Sequence, residues 1–438
     1  KIMSKKFKYL FVFLILFGCS KDKNVNLSNS VNIFQPKNTF YFVNKKERFN
    51  ARVADLTNVS EILNSKSHNL KNAFIKYPFK KTWQLDTDQN IDDKNPYLSE
   101  PLFFAPYIYL LNNKGYLYKI NSENGKIIWK KLIFKYLENT ITGTPALSGV
   151  ISKNNVVTLY AHNGSRELVA INGNDGTTIW QKKKDIPFRG GITSFKNLIF
   201  VNDFDGNFSS IDNKNGKILW NVFLGSANNS VYTTARPIVA KNKIVVPATG
   251  GTFFVISIET GEVLWSENVS SNYQLPKLFH AGDIVANPLY YKGLIYIISQ
   301  SGVAAAFDLD TSKKIWSIPI GGFETPSISG ETIFIIGNMG QLAAIDRNSG
   351  GLRWEKQFPS FINEKSYFVD QEIANYKGPS LVNSKLLISN QKGIVNIIDS
   401  NSGSQIDTLK VAELAFSPIP IDGKLLFLTA NGKLLAYK

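Results

Sequence analysis

The sequence predicts an all-β protein: an eight-bladed β-propeller of four-stranded blades, closed by the N-terminal strand around Trp83. Seven tryptophans recur roughly every 45 residues, a period that is typical of propellers and solenoids. Short apolar runs alternate with turns rich in Gly, Asn and Asp, as in FSSIDNKNGKILW, which ends at Trp220. Runs of this length at regular intervals, without helical spacing, favour strands over helices.

The same strand, turn and strand precede six of the tryptophans. A seventh copy, GIVNIIDSNSGSQID, has Asp407 at the tryptophan position, and an eighth, GKLLAYK, stops at Lys438. The missing outer strand is available upstream, because KTWQLD, which starts at Lys81, contains Trp83. We therefore expect this strand to complete the eighth blade and to remove the exposed edges that an open array would keep.

Each repeat divides into four short strands. In the fifth repeat these are DIVANPLY, LIYIIS, VAAAFDL and KIWSI. Continuous apolar runs in the middle strands predict burial on both faces, and the Gly, Asn and Asp turns supply the backbone conformations that tight hairpins need. We interpret the tryptophans as architectural. Each offers a large apolar surface and an N–H that needs an acceptor, and each can pack against the neighbouring blade.

The N-terminal region differs in composition from the propeller, which we place at residues 81–438. Residues 1–18 are predicted to be a signal peptide, with lysines before an apolar run that is shorter than the ~20 residues of a membrane span. Residues 19–80 are rich in Lys, Asn and Ser and are predicted to form a partly ordered tether. Because Cys19 is the single cysteine, no intrachain disulfide is possible.

The formal net charge of +16 raises the question of an anionic partner. The lysines are scattered along the chain, and no basic block alternates with aromatic residues. We therefore expect a solvated basic surface and no nucleic-acid partner.

Two motifs carry a resemblance to known families. The stretch LFGC, which ends at Cys19, resembles the lipobox of bacterial lipoproteins, and AAIDRNSGGLRW resembles the tryptophan-docking repeat of pyrroloquinoline-quinone-type propellers. Together, lipobox, tether and eight repeats resemble the BamB family of the outer-membrane β-barrel assembly machinery. The resemblance implies acylation of Cys19 and a membrane anchor through that lipid. Ser20 after the cysteine implies the periplasmic face of the outer membrane of a Gram-negative bacterium.

The BamB resemblance also implies a partner. Members of that family dock a POTRA domain of the central barrel subunit through loops between neighbouring blades. The matching segments here are SVYTTARP (230–237) and AGDIVANP (281–288), so Val231, Arg236 and Asp283 are the expected partner-binding residues. Val285 stands where the family would have a second Asp. We also expect exposed strand edges to bind unfolded barrel precursors by adding a strand.

No catalytic residue, cofactor or metal site is expected from the sequence. The DFDGN segment (203–207) faintly resembles a calcium loop, but its spacing favours a plain hairpin turn. The histidines lack metal-ligand spacing and are predicted to be exposed loop residues: His68, His162 and His280. Two alternatives stay open, since fold does not determine function. One is a lipid-anchored quinoprotein oxidoreductase, with charged groups and an aromatic floor in the central funnel. The other is a surface module that binds polysaccharide.

Overall fold

The computed structural model describes residues 74–88, 99–135, 145–151, 156–225, 235–270, 283–362 and 372–438. Within these ranges the chain forms 32 β-strands and one short 3-10 turn, Thr249–Gly251. The all-β prediction is therefore confirmed. The predicted signal peptide and nearly all of the tether lie outside the described residues.

The strands are numbered in chain order. The first sixteen are β1 (Lys81–Asp86), β2 (Leu102–Phe104), β3 (Tyr107–Leu111), β4 (Tyr116–Asn121), β5 (Ile127–Leu132), β6 (Ala146–Ile151), β7 (Val157–His162), β8 (Glu167–Asn172), β9 (Thr178–Lys183), β10 (Phe188–Phe195), β11 (Leu198–Asp203), β12 (Asn207–Asp212), β13 (Ile218–Phe223), β14 (Ile238–Ala240), β15 (Lys243–Pro247) and β16 (Thr252–Ser257).

The second sixteen complete the order. They are β17 (Val263–Asn268), β18 (Leu289–Tyr291), β19 (Leu294–Ser299), β20 (Val303–Asp308), β21 (Lys314–Ile318), β22 (Ser327–Ser329), β23 (Thr332–Ile336), β24 (Gln341–Asp346), β25 (Leu352–Gln357), β26 (Tyr376–Val382), β27 (Lys385–Asn390), β28 (Ile394–Asp399), β29 (Gln405–Lys410), β30 (Ile419–Ile421), β31 (Lys424–Leu428) and β32 (Lys433–Tyr437).

These strands form eight four-stranded antiparallel sheets, the blades of a propeller. Blades 1 to 7 each use four consecutive strands, from β2–β5 to β26–β29. Blade 8 has the order β30, β31, β32 and β1, so the N-terminal strand supplies its outer member. Trp83 faces Ala436 in this pairing, and the backbones of Lys80 and Lys438 exchange two hydrogen bonds beside it. The predicted closure by the strand around Trp83 is confirmed.

Burial follows the position of each strand in its blade. The middle strands β3 and β4 are buried almost throughout, whereas the outer strand β5 is largely exposed. The described residues form eight apolar clusters, and each cluster joins two neighbouring blades, including blades 8 and 1. A blade therefore completes its core only against its neighbours, as repeat architectures require.

The tryptophans connect the blades as predicted. Each lies on an outer strand, and its indole N–H donates to a backbone carbonyl in the turn between the third and fourth strands of the next blade. That turn passes directly against the ring: a Cβ added to Gly261 would lie 2.7 Å from Trp220. The seven pairs are Trp83 to Ser122 (3.1 Å), Trp129 to Asn174 (2.9 Å), Trp180 to Asn213 (2.9 Å), Trp220 to Ile258 (3.0 Å), Trp265 to Leu309 (3.3 Å), Trp316 to Arg347 (2.8 Å) and Trp354 to Ser400 (3.0 Å).

The first strand of blade 5 is shorter than the sequence predicted. In blade 5 the predicted strand DIVANPLY contributes only Leu289 and Tyr290 to β18. Pro288 has no N–H for a sheet ladder, and the Asn287 side chain accepts a hydrogen bond from the N–H of Arg236 in the neighbouring blade. The preceding residues therefore connect blades and do not extend the strand.

Candidate partner-docking surface

The antiparallel order of the strands gives the ring two different faces. The connections between successive blades lie on one face, together with the loops between second and third strands. We call this the loop face. The turns between third and fourth strands, which the tryptophans of the preceding blades contact, lie on the opposite face. We call this the turn face. The segments that carry Arg236 and Asp283 both belong to the loop face, because each precedes the first strand of a blade.

Arg236 points across the central channel from the loop face of blade 4. Its guanidinium Nη2 lies 3.6 Å from the Glu100 carboxylate of blade 1 and 3.4 Å from the Leu147 carbonyl of blade 2. The backbone N–H of Arg236 donates to Asn287 of the blade 4–5 connection. Its side chain is 14% exposed. Arg236 thus links its own connection to three other blades.

Asp283 is buried at the base of the loop face, with 4% of its surface exposed. Its Oδ1 accepts a 2.8 Å hydrogen bond from the N–H of Gly250, in the loop between the second and third strands of blade 4. Burial lowers the pKa of the Arg189 guanidinium, and the negative charge of Asp283 opposes that shift. The carboxylate therefore holds two loops together and balances a buried cation.

A second group of charges lies on the other side of the channel. Glu324, in the blade 5–6 connection, accepts from the Lys377 ammonium of blade 7 at 3.0 Å. Its other oxygen accepts from the Ser417 hydroxyl of the blade 7–8 connection at 2.7 Å. The Glu324 side chain is 14% exposed and that of Lys377 is 25% exposed. Charged side chains from both halves of the ring therefore converge at the channel and pair with one another.

Sequence reasoning did not identify the channel residues Glu100, Arg189, Glu324 and Lys377. The sequence contained a signal for most of them. Near the first strand of six blades, a proline comes one or two positions after a polar or charged residue. These dipeptides or tripeptides start at Glu100, Arg236, Asn287, Glu324, Lys377 and Ser417.

His162 corrects one prediction. It is fully buried at the end of β7 and is not an exposed loop residue. Its Nδ1 accepts from the N–H of Gly164 at 3.0 Å, so its Nε2 carries the proton and donates to the Gly190 carbonyl at 3.0 Å. Burial lowers the pKa of His162 to about 4, which keeps the ring neutral. The apolar run before it, VVTLYAH, was the signal for burial.

The DFDGN segment forms the hairpin turn between β11 and β12, as predicted. Asp203 accepts from the Asn207 backbone N–H at 2.9 Å and pairs with the Lys184 ammonium at 2.7 Å. Its carboxylate therefore serves the turn and an ion pair. His68 and His280 lie outside the described residues. Across the ranges that the structure covers, no three His, Cys, Asp or Glu residues are grouped as a metal site would need.

Cys19 and Val231 lie outside the described residues, and Val285 is half-buried on the blade 4–5 connection. Arg236 and Asp283 lie on the same face but make their contacts within the chain. The described part of the chain contains no helix with the length and hydropathy needed to cross a bilayer.

Comparison with known proteins agrees with this architecture. The sequence profile of the family described as "Outer membrane protein assembly factor BamB" matches residues 113–356. The BamB of Moranella endobia is 20% identical over 75% of this chain and 82% of its own length. The BamB of Yersinia pestis is 19% identical over 82% of this chain and 88% of its own.

Solved structures support the same fold. The crystal structure of BamB from Moraxella catarrhalis superposes with a TM-score of 0.67 at 16% identity, covering 82% of this chain and 99% of that one. The region that matches the family profile, residues 113–356, includes blades 2 to 5 in full and the turns that their tryptophans contact. With its profile match, its eight four-stranded blades and its ring of docked tryptophans, the chain belongs to the BamB family.

Proposed function

We propose that this protein is a non-catalytic scaffold lipoprotein of the machinery that assembles and inserts outer-membrane β-barrel proteins. The observation that carries the proposal is the match of residues 113–356 to a family described as an outer membrane protein assembly factor. Relatives that cover most of this chain have the same description. The mechanism is binding and orientation, for which a closed ring with eight shared cores is a rigid support.

In this proposal the loop face docks a POTRA domain of the central barrel subunit. The docking region comprises the connections that contain Val231, Arg236 and Asp283. Arg236 and Asp283 form hydrogen bonds or ion pairs with residues outside their own connections. Their role in this proposal is to hold the connections in one arrangement. The partner then contacts the residues that they position. Preorganised loops lose little conformational entropy on binding, which favours affinity.

The described part of the chain enters the ring at the turn face. The strand β1 starts at the turn face, so the chain that precedes Lys81 enters the propeller opposite the docking face. A lipid on Cys19 would hold the protein at the periplasmic face of the outer membrane. Stable anchoring needs more than one acyl chain, which the acylated cysteine of lipoproteins provides.

The quinoprotein alternative has one observation in its favour. Carboxylates, an arginine and a lysine converge at the channel, as a cofactor site would require. In this chain, however, Arg236 pairs with Glu100, and Glu324 pairs with Lys377. These groups neutralise one another across the channel, so the arrangement does not fit a charged quinone.

A pull-down from membranes tests the proposal. The tagged full chain is solubilised in mild detergent, and co-purifying proteins are identified by mass spectrometry. The expected result is recovery of a POTRA-containing barrel protein in near-stoichiometric amount. A preparation without that protein, but with the absorbance of a bound quinone, would instead establish the oxidoreductase.

A further inference from the structure

The turn between the third and fourth strands of blade 3 differs in charge from the other turns of its kind. It contains Lys214, six residues before Trp220, and Lys217, three residues before it. No other turn between third and fourth strands has lysine at both positions. At the position of Lys214 the other six turns have an acidic or an amide residue: Glu123, Asn174, Glu259, Asp310, Asn348 and Asn401. Blade 3 therefore concentrates positive charge on the turn face.

Two further lysines reach this turn from neighbouring segments. Lys182 extends over it from blade 2, because a Cβ added to Gly216 would lie 2.8 Å from the Cγ of Lys182 and 3.0 Å from its Cε. Lys196 lies in the turn between the first and second strands of blade 3, and its carbonyl accepts a 2.9 Å hydrogen bond from the Asn213 side chain. Lysines that are separated along the sequence are thus gathered by the fold. The blade 3 lysine cluster comprises Lys182, Lys196, Lys214 and Lys217.

Ion pairs do not neutralise this cluster. All four lysines are exposed, and within the described ranges none of their ammonium groups belongs to an ion pair. The carboxylate of the same turn, Asp212, accepts a 2.7 Å hydrogen bond from the backbone N–H of Lys214. By contrast, Lys241 and Lys243 of blade 4 contact Asp310 at 2.5 Å and 2.8 Å. The cluster therefore presents net positive charge to its surroundings.

Exposed aliphatic side chains adjoin the cluster. Ile218 and Leu219 directly follow Lys217, and they are 46% and 48% exposed. A soluble polyanion would pair with the lysines and leave both aliphatic side chains in water. The interface of an anionic bilayer accepts both kinds of group, because lysines pair with lipid phosphates while apolar side chains enter the headgroup boundary. The combination favours a lipid surface over a soluble anion.

We propose that the blade 3 lysine cluster, together with Ile218 and Leu219, binds the anionic phospholipid surface of a membrane. The described chain enters the ring at the turn face, in β1, so this contact and the entry of the chain share one face. A lipid on a long tether leaves the orientation of a domain open, whereas a second contact on the domain itself fixes it. The identity of the membrane rests on the proposed function, which attaches the chain to it through Cys19.

Energy transfer from the propeller to labelled lipid tests this contact. The full chain, purified from membranes, is reconstituted in vesicles that contain a lipid with a rhodamine headgroup. One set of vesicles is phosphatidylcholine alone, and the other also contains about 30% phosphatidylglycerol. A donor dye is attached through Asn197→Cys at the turn face of blade 3, or through Asp205→Cys at its loop face. Acylation of Cys19 would leave the introduced cysteine as the single free thiol.

Charge reversal of the cluster has a matched control. Lys214→Glu/Lys217→Glu gives blade 3 the charges that the same turn of blade 4 already has, so the change is compatible with the fold. Lys114→Glu/Lys135→Glu alters the net charge by the same amount, at exposed lysines on the loop-face end of blade 1.

The aliphatic contribution is tested in the same way. Leu219→Asn removes one of the two exposed side chains beside the cluster. Leu264→Asn is its control, because Leu264 has the same position in blade 4 and is 44% exposed. Only the blade 3 variant should reduce energy transfer in the anionic vesicles.

We expect transfer from the Asn197→Cys label to rise at least about twofold when phosphatidylglycerol is present, and to exceed transfer from the Asp205→Cys label. Lys214→Glu/Lys217→Glu should lose this rise, and Lys114→Glu/Lys135→Glu should keep it. Raising the salt from about 0.1 M to about 1 M should abolish the rise, since the Debye length falls from ~10 Å to ~3 Å. Equal transfer in both vesicles, or equal loss in both double variants, would overturn the inference.

Two further results separate this inference from the proposed function. If the unchanged chain associates only with the anionic vesicles, and needs Lys214 and Lys217 to do so, the lipid contact stands and the lipid anchor of the proposed function fails. If it associates with both kinds of vesicle but shows no rise in transfer, the anchor stands and the contact is rejected. Loss of POTRA binding in Lys214→Glu/Lys217→Glu would make the cluster a protein interface and would also reject the lipid contact.

Discussion

The hydroxyl of Tyr77 donates a 2.6 Å hydrogen bond to the carboxylate of Asp407, the residue that occupies the tryptophan position of blade 7. In the other seven blades, the tryptophan at this position contacts a turn of the next blade. Blade 8 has no such turn, because the chain enters β1 and leaves β32 at that point. The segment before Lys81 lies there instead, so Asp407 accepts from Tyr77 where a tryptophan would have no turn to contact. This hydrogen bond raises the pKa of the Tyr77 phenol.

The segment before β1 should contribute to the stability of the ring. Ile75 is 1% exposed and packs into the cluster between blades 7 and 8. Ile75→Ala is expected to lower the free energy of unfolding by about 2–4 kcal/mol, through lost burial and a cavity. The neighbouring Phe74 is 63% exposed and provides the control. Phe74→Ala should stay within about 0.5 kcal/mol in urea unfolding. Equal effects would show that the segment does not stabilise the ring.

The turn that contacts Trp220 should tolerate no added side chain at Gly261, and the stability cost of adding one can be measured. This residue has a φ of 76°, and an added Cβ would lie 2.7 Å from the Trp220 ring. Gly423 has a similar φ of 67° but no atom within 4 Å of the added Cβ. Both alanine variants carry the backbone strain, and only Gly261→Ala also overpacks the indole. We expect it to cost about 1–3 kcal/mol more than Gly423→Ala by denaturant unfolding. Equal losses would mean that the indole is displaced without cost.

Stability should depend on pH through His162. Its pKa falls from 6.5 in the unfolded chain to about 4 in the folded one. Between these values the unfolded chain binds a proton that the folded chain does not. The free energy of unfolding therefore decreases as the pH falls from about 6.5 to about 4, by up to roughly 3 kcal/mol.

The variant His162→Gln isolates this contribution. Glutamine keeps an N–H that can reach the Gly190 carbonyl but does not titrate. The pH dependence of its unfolding free energy over that window should be shallower than that of the unchanged chain by the same amount. Parallel curves for the two proteins would contradict the assignment of the proton to His162.

The sequence predicted the blades because their determinants are local. An apolar middle strand, a turn glycine and a tryptophan lie within fifteen residues, and their repetition indicated the ring. The upstream strand around Trp83 was predictable because its tryptophan completed a pattern. The absence of a tryptophan at position 407 could be read from the sequence. The contact that replaces it could not, because Tyr77 and Asp407 are 330 positions apart.

The channel was not predictable in the same way. Arg236 and Glu100 are separated by 136 residues and meet because their blades face each other across the ring. Nothing in either local sequence specifies that distance. The resemblance located the segment of Arg236 but not the direction of its side chain. Long-range contacts of this kind depend on the closed ring, so the sequence predicted the loop face and not its charge pairs.

Docking at the loop face can be measured by titration calorimetry of purified tandem POTRA domains against the full chain. We expect a one-to-one complex that Arg236→Ala weakens at least about fivefold, by about 1 kcal/mol or more. The turn-face variant Lys126→Ala, whose residue is exposed opposite the docking face, should bind like the unchanged chain. No binding by the unchanged chain, or equal weakening by both variants, would contradict the claim that the loop face docks this partner.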